Sequence, residues 1–183
     1  KKEWVGVDFC SLSTCSLTIW LFLDFLSFLH EPDLVELMSK GREVLEWRTN
    51  LVLKSLDIWN EQIRPKLSSD WGVEIPGLSH IDFLHFCRGG NPSSKRLAEC
   101  LHKHILPSLR ERAEILKDMG DEGREELYFL DSLSPDGILD EWFSPAKYPD
   151  LPDFSCPRNL GEVPELLRMT PKALTRLVTS ISG

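Results

Sequence analysis

With 183 residues, 42% of them hydrophobic, and with six Trp and nine Phe, the chain is long enough for one domain with a real core, which excludes disorder along its whole length. Its net charge of −8 sits in one segment: residues 118–141 carry Asp118, Asp121, Glu122, Glu125, Glu126, Asp131, Asp136, Asp140 and Glu141 against the single base Arg124, and the remainder is balanced. An acidic balance argues against a nucleic-acid binder driven by phosphate neutralisation, and five cysteines without a CxxC pair argue against a disulfide framework and for a reducing compartment, cytoplasmic or nuclear. The opening Lys1, in place of Met, reads as a fragment or a processed product.

The first element is the apolar run LTIWLFLDFLSFL at residues 17–29. A membrane span needs about 20 apolar residues. This run is shorter, carries Asp24 near its centre, and is followed by no small-residue cleavage site. Ser13, Ser16, Asp24, Ser27 and Glu31 fall near one face at helical spacing, so the run reads as a central core helix with a narrow polar stripe. Burial against a partner is the alternative.

Pro32 and Asp33 suit the first turn of a second helix. Apolar pairs recur every seven residues, at Leu37-Met38, Val44-Leu45, Leu51-Val52 and Ile58-Trp59, and the phase runs unbroken through Gly41. Arg64-Pro65 is expected to end or kink this helix, which spans about 48 Å from Asp33. Trp47, Leu53 and Leu56 lie off the narrow seam, which favours packing within a bundle over a two-stranded coiled coil.

HIDFLHFCRGGNPSSKRLAECLHKH, residues 80–104, holds four of the five histidines. Ser79 and Asp82 form a capping-box pattern, Leu78 and Phe83 a hydrophobic staple, Gly89 a left-handed cap, and Ser93 or Ser94 a second N-cap. The reading is a helical hairpin whose second helix buries Leu97, Leu101, Ile105 and Leu109 and breaks or kinks at Pro107. On helices, His85 and Cys87, or Cys100 and His102, point about 200° apart and cannot chelate together. Cys87, Cys100 and His104 offer three zinc ligands at best, so no metal or other cofactor is expected. Arg88, Lys95, Arg96, Lys103 and Arg110 are the residues a nucleic-acid-binding hairpin would use, diluted by Asp82, Glu99 and Glu111.

Gly120 stops the hairpin's second helix, and GREELYFLDSL forms another with Leu127, Leu130 and Leu133 facing inward. Ser134-Pro135-Asp136-Gly137 has the chemistry of a turn. Five prolines between Pro145 and Pro164 predict an extended strap, with Tyr148, Leu151 and Phe154 lying on the bundle. Thr170-Pro171 caps a last helix with the apolar stripe Leu174, Leu177, Val178 and Ile181.

The expected fold is all-α: an irregular bundle of about six helices over residues 1–144, a strap at 145–164, and a C-terminal amphipathic helix at 165–183 docked on the same domain. No phosphate loop, nucleophile elbow, HExxH or internal repeat is present, which lowers the expectation of an enzyme. The leading function is a non-catalytic protein–protein interaction module, a domain or subunit of a larger assembly. Its partner is another protein chain rather than a membrane, met through Leu174, Leu177, Val178 and Ile181. The alternative is a nucleoprotein-like domain using the basic hairpin at 88–110.

Overall fold

The computed structural model describes residues 21–152 and 163–181. These residues are helical with no strand among them, so the fold is all-α. After a helical stretch at 21–29 come α1 (Pro32–Ile58), a π turn (Trp59–Ile63), α2 (Arg64–Trp71), α3 (His80–Cys87), α4 (Ser94–Asp118), a 3-10 turn (Gly120–Gly123), α5 (Arg124–Ser132), α6 (Pro135–Trp142), α7 (Glu165–Arg168) and α8 (Pro171–Ile181). None of these helices is long and apolar enough to cross a membrane. The chain divides into two compact units, one of Lys1–Glu43 with Pro164–Gly183 and one of Val44–Val163.

The Val44–Val163 unit owns the core. Val52, Leu56, Trp59 and Ile63 form one buried stripe, and Leu97, Leu101, Ile105 and Leu109 form another in the same core cluster. Helix α4 is the centre, packed on α3, α5 and α6. Trp71 and Trp142 close one side with ring centroids 6.1 Å apart, tilted by 58°.

The local punctuation is as read. Ser79 Oγ accepts from the Asp82 amide at 3.1 Å, Ser93 Oγ from the Arg96 amide at 3.2 Å, and Thr170 Oγ1 from the Ala173 amide at 3.2 Å. Leu78 and Phe83 are both buried in the core. At the end of α3 Gly89 is left-handed (φ 79°) as expected, and Arg88 before it is left-handed as well (φ 43°).

Three prolines behave differently from expectation. Pro65 does not end the long helix. The π turn shifts the ladder so that the Arg64 amide reaches back to Trp59 O, and the next amide would be that of Pro65, reaching Asn60 O. Arg64 fills the gap: its Nε donates to Asn60 O at 3.3 Å, and the helix runs on to Trp71. Pro107 sits exposed inside an unbroken α4, whose opposite face is buried deeply enough to offset the missing bond. Ser134-Pro135-Asp136-Gly137 starts α6 rather than a free turn: Ser134 Oγ accepts from the Gly137 amide at 3.1 Å, and Pro135 takes the first helical position.

The largest departure concerns the apolar run. Its residues 17–20 lie outside the described ones. The remainder is helical, closed by His30 Nδ1 donating to Leu26 O at 2.6 Å, but it is not a core helix. Leu21 is 62% exposed, Phe22 58% and Phe25 54%. Of the predicted strap, 145–152 is irregular, with Leu151 buried and Tyr148 packed on the core, while Phe154 lies outside the described residues.

Candidate interaction surface

The His/Cys hairpin resolves into structural contacts. Residues 72–79 cross the Val44–Val163 unit without regular structure, yet Val73, Ile75 and Leu78 are buried. Buried backbone outside a helix must find other partners. Side chains supply them. Asn60 Nδ2 donates to Leu78 O at 2.8 Å and its Oδ1 accepts from the Leu78 amide at 3.1 Å. Arg64 donates to Ile75 O, Ser68 Oγ accepts from the Ile75 amide, Ser108 Oγ donates to Glu74 O, and Arg112 donates to Trp71 O. Arg112 is itself held by Glu126 through two bonds of 2.8 and 2.7 Å, which raise its pKa further.

The histidines join this scaffold. His104 Nε2 donates to Gly77 O at 3.2 Å, His102 Nε2 to Leu133 O at 3.1 Å, and His80 Nε2 meets Asp57 Oδ1 at 2.6 Å. So His104 reaches a loop carbonyl instead of joining the two thiols, and among the described residues no group of three His, Cys, Asp or Glu is placed to hold a metal. Cys87 and Cys100 are buried free thiols. Burial raises the Cys87 pKa and pushes Cys100 up to about 11, with Cys87 and Asp82 adding to the burial effect at Cys100 and Lys103 opposing it. At neutral pH both are protonated, so neither is a ready nucleophile.

The basic residues of the hairpin are all exposed. Arg88 caps α3, and Lys95, Arg96, Lys103 and Arg110 lie on the outer face of α4, where Arg96, Lys103 and Arg110 succeed one another every seven residues. Acids and an aromatic ring intrude on this row: Glu99 pairs with Arg96 at 3.5 Å, and Lys103 Nζ sits 5.1 Å from the centroid of the Phe86 ring. In the acidic segment Glu122, Glu125, Asp131, Asp136 and Asp140 face solvent.

The other unit is built differently. Among its described residues no side chain is buried. Leu21, Phe22, Leu23, Phe25 and Phe28 are exposed on the first helical stretch, Val35 and Met38 on the start of α1, and Leu174 and Val178 on α8. Of the stripe predicted to meet a partner, Leu177 and Ile181 instead line a cavity of about 200 Å³ with Leu37 and Lys40, leaving Leu174 and Val178 outward. Lys40 is held there by Glu36 at 2.9 Å and Glu165 at 3.2 Å, and these bonds raise its pKa.

Sequence reading missed the phenylalanines as surface residues because an apolar run resembles a core helix until its neighbours are known. It missed Asn60, Arg64 and Arg112 as loop clamps because their partners lie 11 to 41 residues away. Compared with known proteins, the chain matches no family model, no curated protein and no solved structure.

Proposed function

We propose that this chain is a helical protein–protein interaction module. In this reading the Val44–Val163 unit is the rigid scaffold and the helices of the other unit are the part a partner completes. One contrast carries the reading: the first unit has its own core, whereas the second presents Leu21, Phe22, Leu23, Phe25, Phe28, Val35 and Met38 to solvent and buries no described side chain. Large apolar side chains exposed in this number, on one helical stretch and the start of the next, are what a surface of association supplies. The test is a photo-crosslinking residue at Phe25 in the full chain within its native source, with the same residue at Glu61, an exposed position of the core unit, as control. Crosslinked protein from Phe25 but not Glu61 is expected; equal or absent crosslinking at both removes the reading.

Nucleic-acid binding is the second reading, supported by the row Arg96, Lys103 and Arg110 on α4. It ranks below the first because Glu99 engages Arg96 and the chain as a whole is acidic. Replacing Lys95, Arg96 and Lys103 together with Gln is expected to flatten the log–log salt dependence of duplex binding by about 3 units. A slope that does not move refutes it.

A further inference from the structure

We infer that Ser144 is a phosphate-acceptor site for a proline-directed protein kinase. The site is independent of the interaction-module reading.

Three of the twelve prolines follow a hydroxyl residue: Ser134-Pro135, Ser144-Pro145 and Thr170-Pro171. A Ser or Thr before proline has a structural use, as the cap and first residue of a helix. That use accounts for two of the three. Ser134 Oγ accepts from the Gly137 amide at 3.1 Å and Thr170 Oγ1 from the Ala173 amide at 3.2 Å, each at the head of its helix. It does not account for Ser144, which follows α6 and opens the irregular segment 144–152. Among the described residues the Ser144 hydroxyl makes no hydrogen bond.

The residues after Ser144 suit a kinase. An enzyme that reads a Ser-Pro pair draws the backbone into a dry cleft, and proline has no N–H to strand there. Pro145, Ala146 and Lys147 are exposed. Lys147 also supplies a cation three residues after the acceptor, where Ser134 has Gly137 and Thr170 has Ala173. Little holds the segment closed. The Lys147 and Tyr148 amides donate to Ser144 O at 3.0 Å each, and Lys147 pairs with Glu141 at the surface. Ser144 is half-buried, and opening this turn brings its Oγ into reach. The opening is local, because the buried Trp142 and Leu151 anchor the two ends.

In the transfer, Ser144 Oγ attacks the γ-phosphorus of ATP. The Oγ–P bond forms while the bond from that phosphorus to the β–γ bridging oxygen breaks. ADP departs with the electron pair, and the hydroxyl proton passes to the catalytic carboxylate of the kinase. The product adds a charge of about −2 just beyond the acidic segment 118–141, where it competes with Glu141 for Lys147.

The experiment incubates the full chain with a purified kinase of the cyclin-dependent class and magnesium ATP, and quantifies phosphopeptides over time for wild type, Ser144→Ala and Pro145→Ala. One phosphoryl group is expected at Ser144, at an initial rate at least about fivefold above that at Ser134 or Thr170, whose cap bonds must break first. Ser144→Ala is expected to lose this phosphate. Pro145→Ala, which keeps the hydroxyl, is expected to lose most of it. A wild-type chain that takes no phosphate at Ser144, or takes it no faster there than at Ser134 or Thr170, overturns the inference. So does a Pro145→Ala chain labelled as fast as wild type. Labelling of Ser144 that appears only once urea has unfolded the chain also overturns it, because the folded protein then hides the site.

Discussion

Asn60→Ala is expected to destabilise the protein by about 3 kcal/mol, a large effect for a polar residue on a helix. The reason is that Asn60 serves both polar groups of one buried residue, accepting from the Leu78 amide and donating to the Leu78 carbonyl. Leu78 is in the core and has no helix of its own to satisfy it. Alanine leaves a donor and an acceptor stranded, each worth about 1–3 kcal/mol. Asn60→Asp keeps the acceptor and loses the donor, so about half the loss is expected. Urea denaturation reads both as shifts of midpoint with an unchanged slope. A shift in Asn60→Ala worth less than about 1 kcal/mol would show that the 72–79 crossing is held by its apolar residues alone.

Trp59→Ala carries the second large effect. Trp59 is fully buried in the π turn, packed in the stripe with Leu56 and Ile63. Truncating a buried aromatic of this size costs about 3–5 kcal/mol through lost transfer energy and the cavity left behind. That corresponds to a fall in Tm of roughly 10 °C for a chain of this length. Trp59→Phe separates the two contributions. It fills most of the volume, and it removes the indole Nε1, which is buried with no hydrogen-bond partner among the described residues. The phenylalanine variant is therefore expected to recover at least about 2 kcal/mol of the alanine loss. Equal losses in the two variants would mean that the indole nitrogen is satisfied and that the whole ring volume is needed.

The candidate surface illustrates how far local reasoning reaches. The heptad pairs Leu37-Met38 and Ile58-Trp59 are both wholly apolar and share one phase, yet Met38 faces solvent and Trp59 is sealed. The prolines teach the same lesson from the backbone side. Pro65, Pro107 and Pro135 each look like a stop or a turn, and each sits in a helix. At Pro65 the remedy is the guanidinium of Arg64 bonding Asn60 O; at Pro107 it is the buried face of α4; Pro135 needs none, because it takes the first helical position behind the Ser134 cap. The His/Cys stretch was legible in its caps and in the 200° divergence that separates its ligand pairs, but the carbonyls and the carboxylate that occupy His80, His102 and His104 were not.

What the sequence determined by itself is the all-α class, the helical hairpin that begins at His80, though not the continuity of its second helix through Pro107, and the capping residues Ser79 and Thr170, with Ser93 or Ser94 between them. These depend on periodicity and on hydrogen bonds that close within one turn, so the information sits beside the residue that uses it. Only the tertiary structure decided which apolar residues are covered. Burial depends on what the rest of the chain can bring to a helix face: Val52, Leu56 and Trp59 join the residues of α4 in one core cluster, whereas Phe25 and Met38 stay exposed at 54% and 48%.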